Sequence, residues 1–226
     1  MKPFKPSETL TEQVARHLDD LIVFGQLRSG ERIYETTMAR ELEVSHGSVR
    51  EALLLLERRH LVRNVPRKGA FVKELDAFFV TSLYETLELI LGHTSRKLAR
   101  QWQPADMEKI ESLYERMSDC YRQGDLTGFL DLGMQYAQAS LVYADNYFIL
   151  EALRDLWPSA RRCAFEAFRH SNQQVLADNL THMRDSIDAV KQRDEEAVIR
   201  ILHRYATQQR NQVLDAIGAA QPEPVA

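Results

Sequence analysis

Apolar residues near the start of the chain recur at the spacing of an amphipathic helix. The candidate caps of this helix are Ser7 and Thr9, and Gly25 follows its predicted end near Phe24. Its apolar face consists of four side chains that lie three or four positions apart: Leu10, Val14, Leu18 and Leu21. The pattern therefore predicts a first helix that ends at about residue 24.

Two shorter apolar stripes follow, with a turn between them at residues 43–47. The first stripe consists of Met38, Ala39 and Leu42, and the second of Val49, Ala52, Leu53 and Leu56. Thr36 or Thr37 is the expected cap of the first of these helices. The pattern predicts a helix, a tight turn and a second helix.

Residues with a preference for strands come next. Residues 61–65 and 70–72 are rich in valine and other β-formers, and a basic turn with Pro66 and Gly69 separates them. This order predicts a β-hairpin. Because the hairpin follows a helix-turn-helix pattern, we interpret it as a wing.

From residue 76 onward the pattern is typical of helices joined by short connections. Pro104 marks a helix start, Gly124 a helix end, Asp125 the next cap and Pro158 a further boundary. We expect six or seven helices in this part of the chain. The predicted fold class is mainly α, with an N-terminal winged helix-turn-helix that carries a small β-wing and a C-terminal all-α helical bundle.

The predicted domains are 1–75 for the winged helix-turn-helix, 76–218 for the bundle, and a disordered tail at 219–226. The chain has 226 residues, of which 44% are hydrophobic and 27% charged, as is usual for globular proteins. No apolar run approaches the roughly 20 residues that cross a bilayer, and no signal-peptide core is present, so we expect a cytoplasmic protein without membrane contact. Cys120 and Cys163 fit no metal or redox spacing and are expected to be buried thiols.

Charge is unevenly distributed along the chain. The whole sequence has a net charge of −4, but residues 1–75 contain 13 Lys and Arg against 11 Asp and Glu, a net charge of +2. Residues 45–73 contain seven basic residues and two acidic ones. Such a concentration is expected of a surface that faces DNA, although a solvated helix face produces the same count.

In a helix-turn-helix the amino end of the second helix enters the major groove. Arg50 is the strongest candidate, because its guanidinium can fork onto a guanine or a phosphate; the alternative is a surface residue paired with a neighbouring Glu. Ser48 serves as a helix cap, a DNA contact or both. The full set of candidate DNA-binding residues is Thr37, Ser45, His46, Gly47, Ser48 and Arg50, with Arg67, Lys68 and Gly69 at the wing.

Over roughly 65 residues this part of the chain resembles the GntR family of bacterial regulators. The resemblance rests on blocks in family order at residues 30–33, 38–42, 44–45, 49–53, 56–57 and 68–72. The family usually has Arg at the position of His46, Gly at that of Glu43 and a small or Thr-Pro pair at Gly47-Ser48. The resemblance thus implies a DNA-binding regulator whose operator differs from the family norm.

Residues 78–217 resemble the all-helical FCD-type effector domain of the FadR subfamily. Many members of that subfamily hold a divalent metal through one Asp and three His. The counterparts here are Asp131, Gln135, Met183 and Tyr205, and three of these are poor ligands for such an ion. We therefore expect no cofactor and no metal. The open alternative is a shifted site made of Asp131, His182 and His203, although a one-residue shift turns a side chain by about 100° around a helix.

Without a metal, an effector pocket is still expected, and its candidate residues are Tyr84, Glu88, Asp131, Gln135, Met183 and Tyr205. The acid pair of Glu88 and Asp131 would favour a neutral or cationic ligand over an organic acid. This interpretation depends on predicted helix faces.

The resemblance implies a homodimer that binds double-stranded operator DNA, usually as a repressor, and that responds to a small-molecule effector. The alternative is a regulator-like architectural DNA-binding protein whose pocket is filled and which senses nothing. We do not expect an enzyme, because the sequence contains no Gly-x-Ser-x-Gly, no phosphate-binding Gly loop and no His-Glu-x-x-His motif.

Overall fold

The structure is a computed structural model that describes residues 9–169 and 173–218. Ser7 and the predicted tail at 219–226 lie outside the described residues. The chain divides into two units, one made of residues 1–75 with 154–162 and the other of residues 76–153 with 163–226. Each unit is described by itself below.

The first unit begins with helix α1, Leu10–Val23. Thr9 is its N-cap and forms a capping box with Glu12: the Thr9 hydroxyl accepts the Glu12 amide at 3.2 Å, and the Glu12 carboxylate accepts the Thr9 amide at 2.8 Å. Gly25 follows the helix with a φ of 72°. The predicted first helix and its cap at Thr9 are therefore confirmed. Val14 and Leu18 of the predicted apolar face are buried, but the prediction is wrong for Leu10, which is 50% exposed.

Helices α2, Glu35–Glu41, and α3, His46–Arg58, form the predicted helix-turn-helix. The prediction of a threonine cap on α2 is wrong. The helix begins one residue before Thr36, and its N-cap is Tyr34, which makes no side-chain capping bond. Glu35 in the first turn supplies the negative charge that favours a helix start.

The wing is a three-stranded antiparallel sheet of β1, Arg32–Ile33, β2, Val62–Val65, and β3, Gly69–Val72, in the order β1-β3-β2. In the β2-β3 hairpin Val62 lies opposite Val72. The predicted hairpin is confirmed. Strand β1 was not predicted, because two residues are too short to show an alternating pattern.

The core of the first unit lies where α3 packs against α1, α2 and β2. Its apolar side chains belong to the predicted apolar faces of the helices and to the strands. The large, fully buried side chains among them include Leu18, Val49, Leu53, Leu56, Leu61 and Val62. Burying these side chains contributes about 1.5–3 kcal/mol each relative to leaving them exposed. The packing of these side chains fixes the position of α3 and of its N-terminal end.

One charged group, Asp19, sits at the edge of this core. Its side chain is 12% exposed, and its Oδ1 atom lies 3.7 Å from Arg161 Nη1 without a hydrogen-bond partner. Arg161 instead donates a hydrogen bond of 2.7 Å to Asp20. Burial raises the pKa of Asp19 to about 6, although the nearby Arg161 acts in the opposite direction.

We expect Asp19→Asn to stabilise the protein by up to about 3 kcal/mol at pH 8, because a pKa raised by about two units carries an ionisation cost of that size. Asp19 binds its proton more tightly in the folded state, so the cost is complete above pH 6. It declines as the pH falls from about 6 towards 4, and the advantage of the variant should shrink in parallel. Urea unfolding at a series of pH values measures this. The matched control Asp20→Asn removes the partner of Arg161 and should not stabilise.

The second unit is built from helices. Within the described residues the chain after residue 76 contains six α-helices and one short 3-10 helix at Ala139–Tyr143. The α-helices are α4 Ala77–Gln101, α5 Pro104–Gln123, α6 Leu126–Gln138, α7 Tyr147–Arg169, α8 Gln173–Lys191 and α9 Glu195–Ala216. The number agrees with the sequence prediction. Residues 154–162 of α7 cluster with the first unit.

The predicted helix boundaries have a mixed outcome. Pro104 opens α5, Gly124 ends it with a φ of 72°, and Asp125 caps α6 by accepting the Gly128 amide at 2.9 Å. The predicted boundary at Pro158 is wrong, because α7 continues through this residue. A proline inside a helix loses one backbone hydrogen bond, and the packing of both flanking segments outweighs that cost here.

Packing in the second unit joins α4 to α9, α5 to α6 and α8, and α8 to α9. Phe129 on α6 is 1% exposed and meets Phe168 edge to face, with ring centroids 5.8 Å apart. Among the described residues, no helix is both long enough and apolar enough to cross a membrane.

Candidate functional site

The N-terminal end of α3 presents hydroxyls and backbone amides at the surface. The N-cap is Ser45, and the prediction that Ser48 caps the helix is wrong. The Ser45 Oγ atom accepts the Ser48 amide at 3.1 Å and lies 2.9 Å from the Ser48 hydroxyl. Ser45, His46 and Gly47 are exposed. A helix N-terminus with unpaired amides attracts anions such as phosphate. The predicted residues at positions 45–48 are therefore brought together at one helix end.

Arg50 lies on the first turns of the same helix, and its side chain is 69% exposed. Its Nε and Nη2 atoms donate to Glu35 Oε2 at 3.2 and 3.1 Å. The pairing with a glutamate, which the sequence left open, is present and joins α3 to α2. Because an exposed ion pair contributes little, a DNA phosphate or guanine can replace the carboxylate as the partner. Thr37 is half-buried on α2.

The wing turn exposes two cations. Arg67 and Lys68 are both exposed, and the Lys68 amide donates to the Val65 carbonyl at 3.0 Å to close the turn. Arg67 has a φ of 64° and Gly69 a φ of 92°. Gly69 is needed here because its backbone conformation is one that residues with a side chain rarely adopt.

Sequence reasoning missed two residues of this surface. Glu35 holds Arg50, and the only signal for it is an acidic residue at a helix start. The guanidinium of Arg32 on β1 lies 4.8 Å from the centre of the Tyr34 ring. It also lies beside Gly69, where an added Cβ atom would be 3.5 Å from Arg32 Nε and Nη2. No signal pointed to it, because the strand that places it is too short to predict.

The wing is tied to α3 by Glu57. Its two carboxylate oxygens accept the Asn64 backbone amide at 2.8 Å and the Asn64 side-chain amide at 2.7 Å. Bidentate, charge-assisted hydrogen bonds of this kind are short and geometrically specific. The β2-β3 hairpin therefore has a fixed attachment to the helix whose other end carries Ser45.

The second unit contains a cavity of about 100 Å³, which is smaller than the usual site of a drug-sized ligand. It is bordered by α4, α5, α6, the 3-10 helix, α8 and α9. Most of its wall is apolar, with side chains such as Leu98, Ile110, Met183, Ile187 and Val198. The polar lining residues are Ser95, Tyr136, Ser140, His182, Ser186 and Tyr205.

Two of the six residues predicted from the sequence, Met183 and Tyr205, line this cavity. The other four are placed elsewhere. Tyr84 is buried, and burial raises the pKa of its phenol well above the usual value. Glu88 accepts a hydrogen bond of 2.7 Å from His203 at the surface. Asp131 is half-buried and Gln135 exposed, and neither belongs to the lining.

The polar lining side chains are largely paired with the protein. Tyr136 donates to the Met183 carbonyl at 3.1 Å, and Ser140 lies 2.9 Å from the Thr94 hydroxyl. His182 Nε2 lies 2.7 Å from Gln208 Oε1, whereas His182 Nδ1 is buried without a hydrogen-bond partner. Burial raises the pKa of Tyr136 to about 12, so its phenol is uncharged at neutral pH.

The residues present do not fit the metal site that the FadR resemblance implies. Gln135, Met183 and Tyr205 occupy three ligand positions and are unsuited to a hard or borderline cation. In the shifted alternative, His203 has a 67% exposed side chain that pairs with Glu88, whereas His182 borders the cavity and pairs with Gln208. Within residues 9–169 and 173–218, no group of three His, Cys, Asp or Glu is arranged to hold a metal ion.

Two protein families match this chain. The family described as bacterial regulatory proteins, gntR family, matches residues 10–72, and the FCD domain matches residues 82–208. Together the two matches cover most of both units.

Several curated proteins are similar to the chain at low identity. An HTH-type transcriptional repressor RspR of Escherichia coli K12 is 21% identical over 88% of this chain and 87% of that protein. The gluconate operon transcriptional repressor of Bacillus subtilis 168 is 24% identical over 90% and 84%. An uncharacterized HTH-type regulator of Mycobacterium tuberculosis, MT0049, is 29% identical, but this match spans 45% of the chain and 42% of that protein's length.

Solved structures agree with the fold. Escherichia coli McbR/YncC has a TM-score of 0.79 at 19% identity, covering 92% of this chain and 98% of that one. A putative GntR transcriptional regulator from Rhodococcus sp. RHA1 has a TM-score of 0.76 at 25% identity, covering 91% and 98%.

Proposed function

This chain belongs to the GntR family of bacterial regulatory proteins, and we propose that it represses transcription from a specific operator until a small molecule enters the cavity of its FCD domain. It is a DNA-binding regulator of transcription and not an enzyme, as the two matched families and the named repressors indicate. The observation that carries the proposal is the exposed amino end of α3, where the Ser45 and Ser48 hydroxyls lie near an accessible Arg50.

The amino end of α3 supplies both kinds of DNA contact. The amides and hydroxyls at residues 45–48 suit a phosphate, which fixes the position of the helix on the duplex. The Arg50 guanidinium can bind the edge of a guanine, and such a contact distinguishes one base sequence from another. His46 stands where the family usually has Arg, so the operator of this protein should differ from those of its relatives.

The direct test is to select bound duplexes from a random pool and to measure affinity for the selected sequence by fluorescence anisotropy. We expect the selected duplex to bind at least about 1,000-fold more tightly than an unrelated duplex. We also expect the affinity to fall steeply as salt rises, because phosphate contacts release counterions. Equal affinity for selected and unrelated duplexes would contradict a specific regulator.

For the wing, we expect Lys68→Ala to weaken binding to every duplex by a similar factor and to lower the slope of log affinity against log salt by about one, because it removes one phosphate contact. Anisotropy titrations at several salt concentrations measure both quantities. Lys191, which pairs with Glu111 in the FCD domain, provides the matched control: Lys191→Ala should leave the slope unchanged. If Lys68→Ala instead changes which DNA sequences bind best, Lys68 contacts a base and not a phosphate.

We propose that the protein acts as a homodimer on a two-fold operator with half-sites about 34–36 Å apart. Helix α4 offers a surface for subunit contact, since Phe78 and Leu89 are 83% and 78% exposed and lie eleven positions apart, which places them on one helix face. Sedimentation velocity should give twice the chain mass, and Leu89→Glu should shift it towards one chain. A monomer that protects a single half-site would refute the dimer.

Side chains leave a cavity of about 100 Å³ inside the bundle, and this supports an effector-responsive regulator over the architectural alternative, in which the pocket is filled. We propose that the response requires no metal cofactor, given the side chains at the ligand positions. Since its target is chromosomal DNA, we place the protein in the bacterial cytoplasm.

A further inference from the structure

We infer that the FCD cavity recognises an uncharged, mainly apolar molecule that donates a hydrogen bond from a hydroxyl or N–H group to Nδ1 of His182, without a metal ion. This inference rests on the proposed function, because it names the class of effector for the same cavity. It differs from the carboxylate and metal chemistry that the FadR resemblance implies.

The first step is the absence of charge in the wall. Among the described residues, those that border the cavity include no Asp, Glu, Lys or Arg. Both lining phenols stay neutral at physiological pH, because burial raises the pKa of Tyr136 to about 12 and that of Tyr205 further. A carboxylate or ammonium group in this cavity would lose its hydration shell without gaining a charged partner. An uncharged ligand avoids that cost.

The sequence had favoured a neutral or cationic ligand, on the expectation that Glu88 and Asp131 would line the pocket. The structure gives no reason to expect a cationic ligand, because neither carboxylate lines the cavity. Glu88 pairs with His203, and Asp131 is not part of the lining. The apolar wall that remains is suited to a neutral molecule alone.

The second step is the unsatisfied nitrogen of His182. Gln208 Oε1 is an acceptor, so the Nε2 atom that faces it at 2.7 Å carries the ring proton. In that neutral tautomer Nδ1 has a lone pair and accepts, yet it is buried and has no donor among the residues that the structure describes. A buried polar atom without a partner is unusual in a folded protein. His182 lines the cavity, and its Nδ1 atom has almost no accessible surface, so a ligand hydroxyl or N–H that displaces the neighbouring wall atoms is the donor that completes it.

The ring is also held in place. His182 meets Tyr205 edge to face, with ring centroids 5.8 Å apart, and Gln208 fixes its other nitrogen. A preoriented acceptor loses little freedom when the ligand binds, which favours discrimination between ligands with and without a donor.

The test uses matched probes on the full-length protein. Ethylphenol, its methyl ether and ethylbenzoate share one small apolar body and differ in donor and charge. Calorimetric titrations with and without Zn²⁺ or Mn²⁺ give the affinities. We expect an alcohol to bind about 5-fold more tightly than its ether. The carboxylates should bind weakest, and added metal should not help them.

His182→Phe keeps an aromatic ring and removes the acceptor, so the preference for the alcohol over the ether should disappear. His203→Phe is the matched control, because it makes the same change on an exposed ring outside the cavity and should keep the preference. Circular dichroism confirms that both variants are folded. If His182→Phe does not fold, the wild-type comparison of alcohol with ether still decides the question.

Three results would overturn the inference: equal affinity for alcohol and ether, tightest binding of a carboxylate with metal, or binding of no uncharged probe at millimolar concentration. Its failure can be told apart from failure of the proposed function. If a carboxylate with Zn²⁺ releases the operator, the ligand class is wrong and effector control stands. If an uncharged probe occupies the cavity and no probe changes operator affinity, the ligand class stands and effector control is wrong.

Discussion

Arg50→Ala should weaken binding to the selected operator by about 1–3 kcal/mol, which is roughly 5- to 150-fold in affinity. The side chain is 69% exposed at the amino end of α3, and within the described part of the chain it is anchored by one oxygen of Glu35. On DNA the guanidinium exchanges this weak surface pair for a guanine or a phosphate. Anisotropy titration with the wild-type operator measures the loss, and affinity for an unrelated duplex should change less.

Two variants separate the roles that Arg50 can have. Arg50→Lys keeps the positive charge but cannot make a bidentate contact. The variant should therefore lose affinity if Arg50 contacts a guanine and keep most of its affinity if Arg50 contacts a phosphate. Glu35→Gln keeps an acceptor for Arg50 and removes a negative charge near the DNA, so its affinity should equal or exceed that of the wild type.

Arg122 provides the matched control, since it pairs with Asp119 on α5 of the FCD domain. Arg122→Ala changes the net charge of the protein by the same amount and should bind operator as the wild type does. If Arg50→Ala also binds as tightly as the wild type, α3 does not read DNA through this residue, and the assignment of the interface is wrong.

Phe129→Ala should lower the free energy of unfolding by about 3–5 kcal/mol, the largest stability effect that we predict. The side chain is 1% exposed, so its removal leaves a cavity in addition to losing apolar burial. It also removes the edge-to-face contact with Phe168, a kind of pair that contributes about 0.5–1.5 kcal/mol. Urea unfolding followed by circular dichroism measures the change.

Phe148 is the matched control for this substitution. Its side chain is 79% exposed, so Phe148→Ala should change the free energy of unfolding by no more than about 0.5 kcal/mol. Phe129→Leu fills more of the space and should fall between the two. A loss in Phe129→Ala as small as that of the control would show that the bundle does not depend on this contact.

Local patterns predicted most of the fold. The apolar face of α1, the cap at Thr9, the helix-turn-helix, the hairpin, and the boundaries at Pro104, Gly124 and Asp125 each depend on residues within one or two helical turns of each other. Such signals are visible in a sequence because they arise from backbone sterics and from hydrogen bonds between near neighbours. The error at Pro158 occurred where packing outweighed the local preference, whereas α2 begins at Glu35, one residue before the expected threonine caps.

The arrangement of the candidate sites was harder to predict from the sequence. The partner of Arg50 is fifteen positions away on another helix, so no helical spacing relates it to Glu35. In the FCD domain the resemblance suggested positions for a pocket, but Glu88 instead meets His203 across more than a hundred residues. Which face of a helix borders a cavity depends on its rotation against its neighbours.

The amino-acid sequence alone determined the order of the elements, the winged helix-turn-helix with its exposed basic segment, and the family blocks that identify a regulator, because these properties are set by neighbouring residues. Only the tertiary structure decided that Glu35 holds Arg50, that Glu57 ties the wing to α3, and that the cavity wall is uncharged with one unpaired nitrogen at His182. Those features come from side chains that are distant in the chain and meet only when helices pack, so helix rotation and burial, and not sequence spacing, determine them.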